Sequence, residues 1–263
     1  MFDVEKYLSR LGYSGPAEPT AAVLRALHKS HLMTIPYDIG RMPLVESPSH
    51  NLARIDLDQR FEDIVIGGRG AYCFALNGLF RALLTELGFD VLRISATVNL
   101  GATYSPDRLH LFTGVRLDGE NFLADVGYSG PSFLEPIRLV EEVQEQYGCS
   151  FQLSADEAQW TLRRKARNGT WRDLYRFVFQ DRDIQYWDGF SSVLSAFASE
   201  SDAAGTEIYC RATENGHRSL IGKRYIEIVD GVETMRALVQ PAEYRAVLES
   251  VLGGRPDHGT PPE

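Results

Sequence analysis

The hydrophobic period of this chain changes at Gly88, and that change constrains the fold more than any other feature. Before it, apolar residues recur at helical spacing over residues 4–11, 20–32 and 73–87. Thr20 is placed to cap the second segment and Pro36 to close it. The third is the clearest helix: Phe74, Leu76, Leu79, Phe80, Leu83, Leu84 and Leu87 form a broad apolar face, and Gly88 stands where a helix would stop. After Gly88 the texture is that of strands, over residues 91–98, 109–117, 121–126, 150–153, 160–166 and 173–179. Asp118-Gly119-Glu120 marks a tight turn between the second and third of these, so they form a hairpin. Helices followed by consecutive strands predict an α+β protein with a mostly antiparallel sheet or barrel. Beyond it, residues 191–198 read as a helix, 210–212, 220–229 and 233–238 as strands, and 241–251 as a closing helix. The Gly- and Pro-containing stretch 253–263 reads as a frayed tail.

At 263 residues with 44% hydrophobic composition, the chain can bury a substantial core. Its net charge of −9 and dispersed basic residues carry no footprint for nucleic acid. No apolar run is long enough to span a bilayer, and Met1-Phe2-Asp3-Val4-Glu5-Lys6 lacks a basic leader followed by an apolar stretch. Three scattered cysteines, Cys73, Cys149 and Cys210, argue against a disulfide framework and for a reducing compartment. The expectation is a cytoplasmic protein without membrane contact.

The residue to explain is Cys73, at the start of the strongest helix. Helix N-termini carry partial positive charge, which draws a thiol toward the nucleophilic thiolate. A thiol nucleophile also needs a base, and that imidazole needs a carboxylate to orient it. His110 and Asp125 lie on the two arms of the inferred hairpin, where strand pairing can bring them together. Other readings are weaker. Gly67-Gly68-Arg69-Gly70 lacks the Gly-Lys-Ser/Thr of a phosphate loop. His28 and His31 could share a metal at helical spacing, yet no ligand set completes a site, so they read as surface histidines and no metal is expected. Tyr147, Trp160, Trp171, Tyr175 and Trp187 could line a cleft, although strand aromatics are more often core. Cys149 and Cys210 have no local base and read as structural.

The segment Arg69-Gly70-Ala71-Tyr72-Cys73-Phe74-Ala75-Leu76-Asn77, with Asp125-Val126-Gly127-Tyr128-Ser129 after an upstream His110, resembles the arylamine N-acetyltransferase superfamily. That family's nucleophile box is R-G-G-x-C-x-E-x-N and its Asp segment D-V-G-F-G. His31-Leu32-Met33-Thr34-Ile35-Pro36-Tyr37-Asp38 is similar to the family's approach to P-F-E-N. The resemblance implies a helical domain carrying the nucleophile (1–88), a β-barrel domain carrying His and Asp (89–190) and an α/β lid (191–263). It implies Cys73, His110 and Asp125 as a triad. It also implies support from Arg69, Asp38 and Asn77, with Arg69 bridging to Asp38. The chain departs from the acetyltransferases at Ala75, where they have Glu, and lacks their Ser/Pro/Phe segment around residues 187–201. With Val143-Gln144-Glu145-Gln146-Tyr147-Gly148 and Tyr128-Ser129-Gly130-Pro131, it is most similar to the branch of ansamycin macrolactam-forming amide synthases of the rifamycin type. That branch implies a polyketide with a terminal arylamine, delivered on the phosphopantetheine arm of an acyl carrier protein, with no separate cofactor. Two alternatives stay open: an arylamine N-acetyltransferase using acetyl-CoA, and a non-enzymatic binding protein on the same scaffold.

Overall fold

The computed structural model describes residues 1–40, 53–101, 103–166, 168–193, 196 and 206–253. Helices α1 (Val4–Arg10) and α2 (Ala21–Thr34) begin where capping chemistry dictates, with the Asp3 and Thr20 side chains accepting from the N–H groups of Lys6 and Val23. A two-residue strand β1 (Tyr37–Asp38) follows, then α3 (Leu57–Arg60), which runs directly into a π-helical turn over Phe61–Ile66. Helix α4 (Cys73–Glu86) is the hub of this part. Its Leu76, Leu79, Phe80 and Leu83 pack against Tyr7 of α1, Leu24 and Leu27 of α2, and Phe61 and Ile64 of the π turn.

The eight strands that follow are β2 (Asp90–Val98), β3 (His110–Leu117), β4 (Glu120–Ala124), β5 (Ile137–Arg138), β6 (Gln144–Gln146), β7 (Cys149–Asp156), β8 (Gln159–Lys165) and β9 (Trp171–Val178). They pair antiparallel in the order β5-β4-β3-β2-β9-β8-β7-β6, a nearly closed barrel filled by Ile94, Phe112, Leu123, Phe133, Phe151 and Leu162. The β3–β4 turn is the expected one: Leu117 pairs with Glu120 across Asp118 (φ +52°) and Gly119 (φ +80°), both in the left-handed region that such hairpins require. The two terminal strands, β5 and β6, are joined by amide side chains. Gln144 accepts from the Arg138 N–H and donates to its carbonyl, both at 2.8 Å. Gln146 accepts from the N–H groups of Leu134 and Glu135 and donates to the Glu135 carbonyl. Carboxamides thus take the place of the missing ladder and satisfy edge groups that would otherwise be left open.

A second sheet has the order β1-β10-β11-β12-β13, with β10 (Ile208–Thr213), β11 (Gly216–Ile221), β12 (Arg224–Val229) and β13 (Val232–Ala237). The closing helix Pro241–Leu252 packs Val247, Val251 and Leu252 on this sheet and ends at a left-handed Gly253. Two expectations change here. The stretch read as one strand over residues 220–229 is a hairpin, Ile221 pairing with Arg224 across Gly222 (φ +54°). Its turn is masked in the sequence by β-branched and aromatic neighbours on both sides. The second change is β1: it lies in the helical third of the chain but pairs Tyr37 with Cys210 of β10, so the first and last thirds share a sheet. The architecture is α+β. Of the expected helix over 191–198, residues 191–193 and 196 are helical and the others lie outside the described residues, as does the tail beyond Gly253. Among the described residues, no helix is long and apolar enough to cross a membrane.

Candidate active site

Cys73 is the first residue of α4, with Tyr72 in extended conformation before it. The approach to it is built from β1: the Asp38 N–H donates to the Ala71 carbonyl and the Ala71 N–H to the Pro36 carbonyl. Gly70 is required at this crossing, since a Cβ there would stand 2.6 Å from the Asp38 Cβ and 2.9 Å from the Pro36 carbonyl oxygen. Arg69 and Asp38 were expected to bridge the same two segments. The segments meet through backbone, while the Arg69 guanidinium lies 3.5 Å from Asp63 and Asp38 Oδ1 accepts the Gly40 N–H.

His110 opens β3 and Asp125 follows directly on β4. Thr113 pairs with Ala124, so the hairpin register sets the two side chains diagonally across one face. His110 Nε2 meets Asp125 Oδ2 at 2.7 Å, both side chains being buried. The Cys73 thiol points to the Leu109 carbonyl at 3.8 Å, immediately before His110. Since Asp125 engages Nε2, Nδ1 is the nitrogen left for the thiol.

Asn77, one turn along α4 from Cys73, locks these parts together. Its Nδ2 donates to the Leu111 carbonyl at 2.8 Å and to Asp125 Oδ1 at 3.0 Å, and its Oδ1 accepts the Val126 N–H at 3.0 Å. Asp125 Oδ1 also accepts the Gly127 N–H. Gly127 must be glycine, because a Cβ would lie 2.6 Å from Asn77 Nδ2 and 2.8 Å from the Cys73 Cα. The Asp-Val-Gly run therefore places a carboxylate and lets its own backbone pass against the start of α4.

Charge is concentrated in this buried cluster. Burial alone would raise Asp125 and lower His110; their mutual attraction and hydrogen bond outweigh it. Asp125 is held below the usual carboxylate range, helped by Asn77 and the Gly127 N–H. His110 is held above the usual imidazole range, with the Cys73 thiol contributing in the same direction. The surroundings of Cys73 are apolar and aromatic: Phe74, Leu111, Trp187 and Phe190, with Tyr72 and Tyr186 at the margin. Such an environment strengthens charge interactions at the thiol and suits an apolar acyl group.

Several residues of the site were not anticipated. His28 and His31, expected at the surface, are both fully buried. They continue the α2 stripe of Leu24 and Leu27, and that spacing was the available signal. Trp187 was expected to be core and is buried, but it also reaches the site: its indole N–H donates to the Arg108 carbonyl at 3.0 Å, while Arg108 Nη1 donates to the Tyr186 carbonyl at 2.9 Å. Arg108 sits at φ +73°, a strained position for a residue with a side chain, two residues before His110. Tyr175 lies inside the barrel with its ring centroid 5.4 Å from that of His110. Cys149 and Cys210 are free thiols, both pushed up chiefly by burial. Among the described residues no cluster of His, Cys, Asp or Glu is arranged for a metal.

Comparison with known proteins places this chain in a family. The N-acetyltransferase family model matches residues 20–254. Proansamycin X synthase of Amycolatopsis mediterranei is 37% identical over 98% of this chain and 99% of its own length. The arylamine N-acetyltransferase of Escherichia coli is 35% identical over 65% of this chain and 59% of its own. Among solved structures, Mycobacterium marinum arylamine N-acetyltransferase in complex with CoA superposes with a TM-score of 0.79 at 26% identity, covering 95% of this chain and 92% of that one. The chain belongs to the N-acetyltransferase family of arylamine acyltransferases and their relatives, and is an acyltransferase.

Proposed function

We propose that this protein is an amide synthase that releases an ansamycin-type polyketide by closing it into a macrolactam. The observation that carries the substrate class is the end-to-end similarity to proansamycin X synthase, 37% over 98% of the chain. The buried Cys73, His110 and Asp125 constellation supports the chemistry. Cys73 thiolate, paired with protonated His110, attacks the carbonyl of a thioester joining the polyketide to the phosphopantetheine arm of an acyl carrier protein. The carrier thiol leaves with the proton from His110, and an acyl-enzyme thioester remains. Backbone N–H groups at the start of α4 are suited to stabilise the tetrahedral oxyanion. The arylamine at the other end of the same chain is neutral near pH 7. It attacks the new thioester, His110 takes its proton as the C–N bond forms, and Cys73 leaves as thiolate. Bringing both ends together is largely an entropic problem, so the aromatic wall around Cys73 would contribute by folding the substrate back. No metal and no separate cofactor enter this scheme, and a cytoplasmic site of action accords with it.

A second reading is an arylamine N-acetyltransferase using acetyl-CoA, favoured by the fold shared with a CoA complex. Ala75, where the acetyltransferase box has Glu, weighs against it. The test offers the purified protein acetyl-CoA with a simple arylamine and, separately, a long-chain thioester bearing a terminal arylamine. Cyclisation of the second with poor acetylation of the first is expected. Efficient acetylation without cyclisation would establish the acetyltransferase reading.

A further inference from the structure

We infer that His28 is a positioning residue for Asp125, an inference that rests on reading Cys73, His110 and Asp125 as the reacting set. His28 belongs to α2, far from the nucleophile in sequence, and its ring is fully buried. Its Nε2 accepts the backbone N–H of Asp125 itself at 3.0 Å, and its Nδ1 meets the Leu134 carbonyl at 2.8 Å. An amide can only donate and a carbonyl can only accept, so the partners fix the tautomer: hydrogen on Nδ1, lone pair on Nε2. The ring stacks on Phe133 at 5.5 Å and 16°, and meets Phe80 of α4 edge-on at 6.0 Å. It therefore has little freedom to turn. Asp125 lies just beyond the end of β4, where ladder hydrogen bonds no longer hold the chain. His28 takes over at that point, tying the start of the loop leaving β4 to its far end at Leu134.

Burial, outweighing the bond to Leu134 and the charges of Asp125 and Glu135, pushes His28 down to about 4. The ring thus remains a neutral acceptor under ordinary conditions, where a protonated one would set N–H against N–H. The consequence for chemistry is indirect. A pinned Asp125 amide fixes the direction of the carboxylate, the carboxylate holds His110 cationic, and that cation stands ready to pair with Cys73 as it gives up its proton.

The test is the pH dependence of Cys73 alkylation by iodoacetamide in the native protein and in Asp125→Asn, His28→Leu and His28→Gln. Leucine removes both polar atoms, whereas glutamine can offer an acceptor and a donor at comparable spacing. The expected result is a shift of the Asp125→Asn profile to higher pH, with His28→Leu shifting the same way. At neutral pH the leucine variant should lose about tenfold in thiol reactivity, corresponding to one pH unit. His28→Gln should recover most of it. In turnover, His28→Leu should lower kcat with KM little changed, because His28 lies behind Asp125. A folded His28→Leu with the native profile, or an equal loss in the leucine and glutamine variants, overturns the inference while a shifted Asp125→Asn profile leaves the triad standing. An unshifted Asp125→Asn profile rejects the triad and the inference with it. Should His28→Leu fail to fold, 15N NMR of the native imidazole decides: hydrogen on Nδ1 at pH 7 is expected, and hydrogen on Nε2 overturns the assignment.

Discussion

Cys73, Asn77, His110 and Asp125 come from three elements, and the bonds between their polar atoms explain why so few substitutions should be tolerated. Replacing Cys73 by Ala should abolish product while the fold persists, since the thiol's contact to the Leu109 carbonyl is weak, at 3.8 Å. Intact-protein mass spectrometry with a thioester analogue should give a single acyl adduct on the native chain; an adduct persisting in Cys73→Ala would falsify the nucleophile assignment. Asn77→Leu is the more severe change structurally. It removes the side-chain partner of the Leu111 carbonyl and of the Val126 N–H, and one of the two donors to Asp125 Oδ1. Buried groups left unsatisfied cost about 1–3 kcal/mol each, so a lower chemical-denaturation midpoint is expected with loss of activity, and an unchanged midpoint would show that the network is not needed. The Cys, the Asp and the spacing to Asn77 were legible in sequence because motif and helix period both reported them. His28 was missed because its partners, Asp125 and Leu134, lie about a hundred residues away, and only strand pairing brings them to α2.

At the scale of elements, the hairpin β3–β4 and the loop after it carry the precision. Gly127→Ala should leave the strands intact yet separate Asp125 from α4, because the added methyl would meet Asn77 and the Cys73 backbone well inside contact distance. We expect a fall in thiol alkylation at neutral pH of at least about tenfold, and a variant as reactive as the native protein would show that the loop can relax. The barrel seam makes a different prediction. Gln146→Leu removes an acceptor from the Leu134 and Glu135 amides and a donor from the Glu135 carbonyl, a loss of about 1–3 kcal/mol at this half-buried site. Hydrogen exchange should accelerate at those two amides with little change on β2 and β3; uniform protection would mean that the seam is held by other contacts. The β3–β4 turn was readable from Asp-Gly alone. The seam was not, since Gln144 and Gln146 look like ordinary polar residues until β5 and β6 are brought alongside.

Over the whole molecule, the four buried histidines among the described residues set how stability depends on pH near neutrality. Burial pushes His28 and His217 down to about 4 and His31 to about 3, so the folded chain keeps them neutral while the unfolded chain protonates them below about 6.5. Between those limits the unfolded state binds more protons, and stability falls as pH falls, by about 1.4 kcal/mol per unit for each fully linked group. His110 has the opposite sign. Its pKa is raised in the folded state, so its contribution is complete below about 6.5 and is lost as pH rises toward the folded value. Denaturant midpoints measured from pH 5 to 8 should therefore peak near neutrality and fall more steeply on the acid side, where three groups act together. A flat curve, or one rising toward pH 5, would contradict the neutral assignment of these rings. The proposed division at residues 88 and 190 crosses one shared element, because β1 pairs with β10. Separating the first third of the chain from the last would leave a sheet edge exposed.

What the sequence determined by itself was local: helix starts through Thr20 and the Cys73 box, the change of hydrophobic period at Gly88, the Asp-Gly hairpin, and the residue types that a thiol acyl transfer needs. Each of these signals is carried by neighbours within one or two turns of chain, where capping, periodicity and turn geometry act. The hairpin at Gly222 is the local exception, hidden by strand-forming residues on both sides. Tertiary structure decided the rest: β1 crossing to β10, the carboxamide seam of the barrel, the Trp187 clasp on Arg108 and the placement of His28 behind Asp125. Those depend on pairings between residues far apart in the chain, whose polar groups acquire their roles only after burial has removed water as the competing partner.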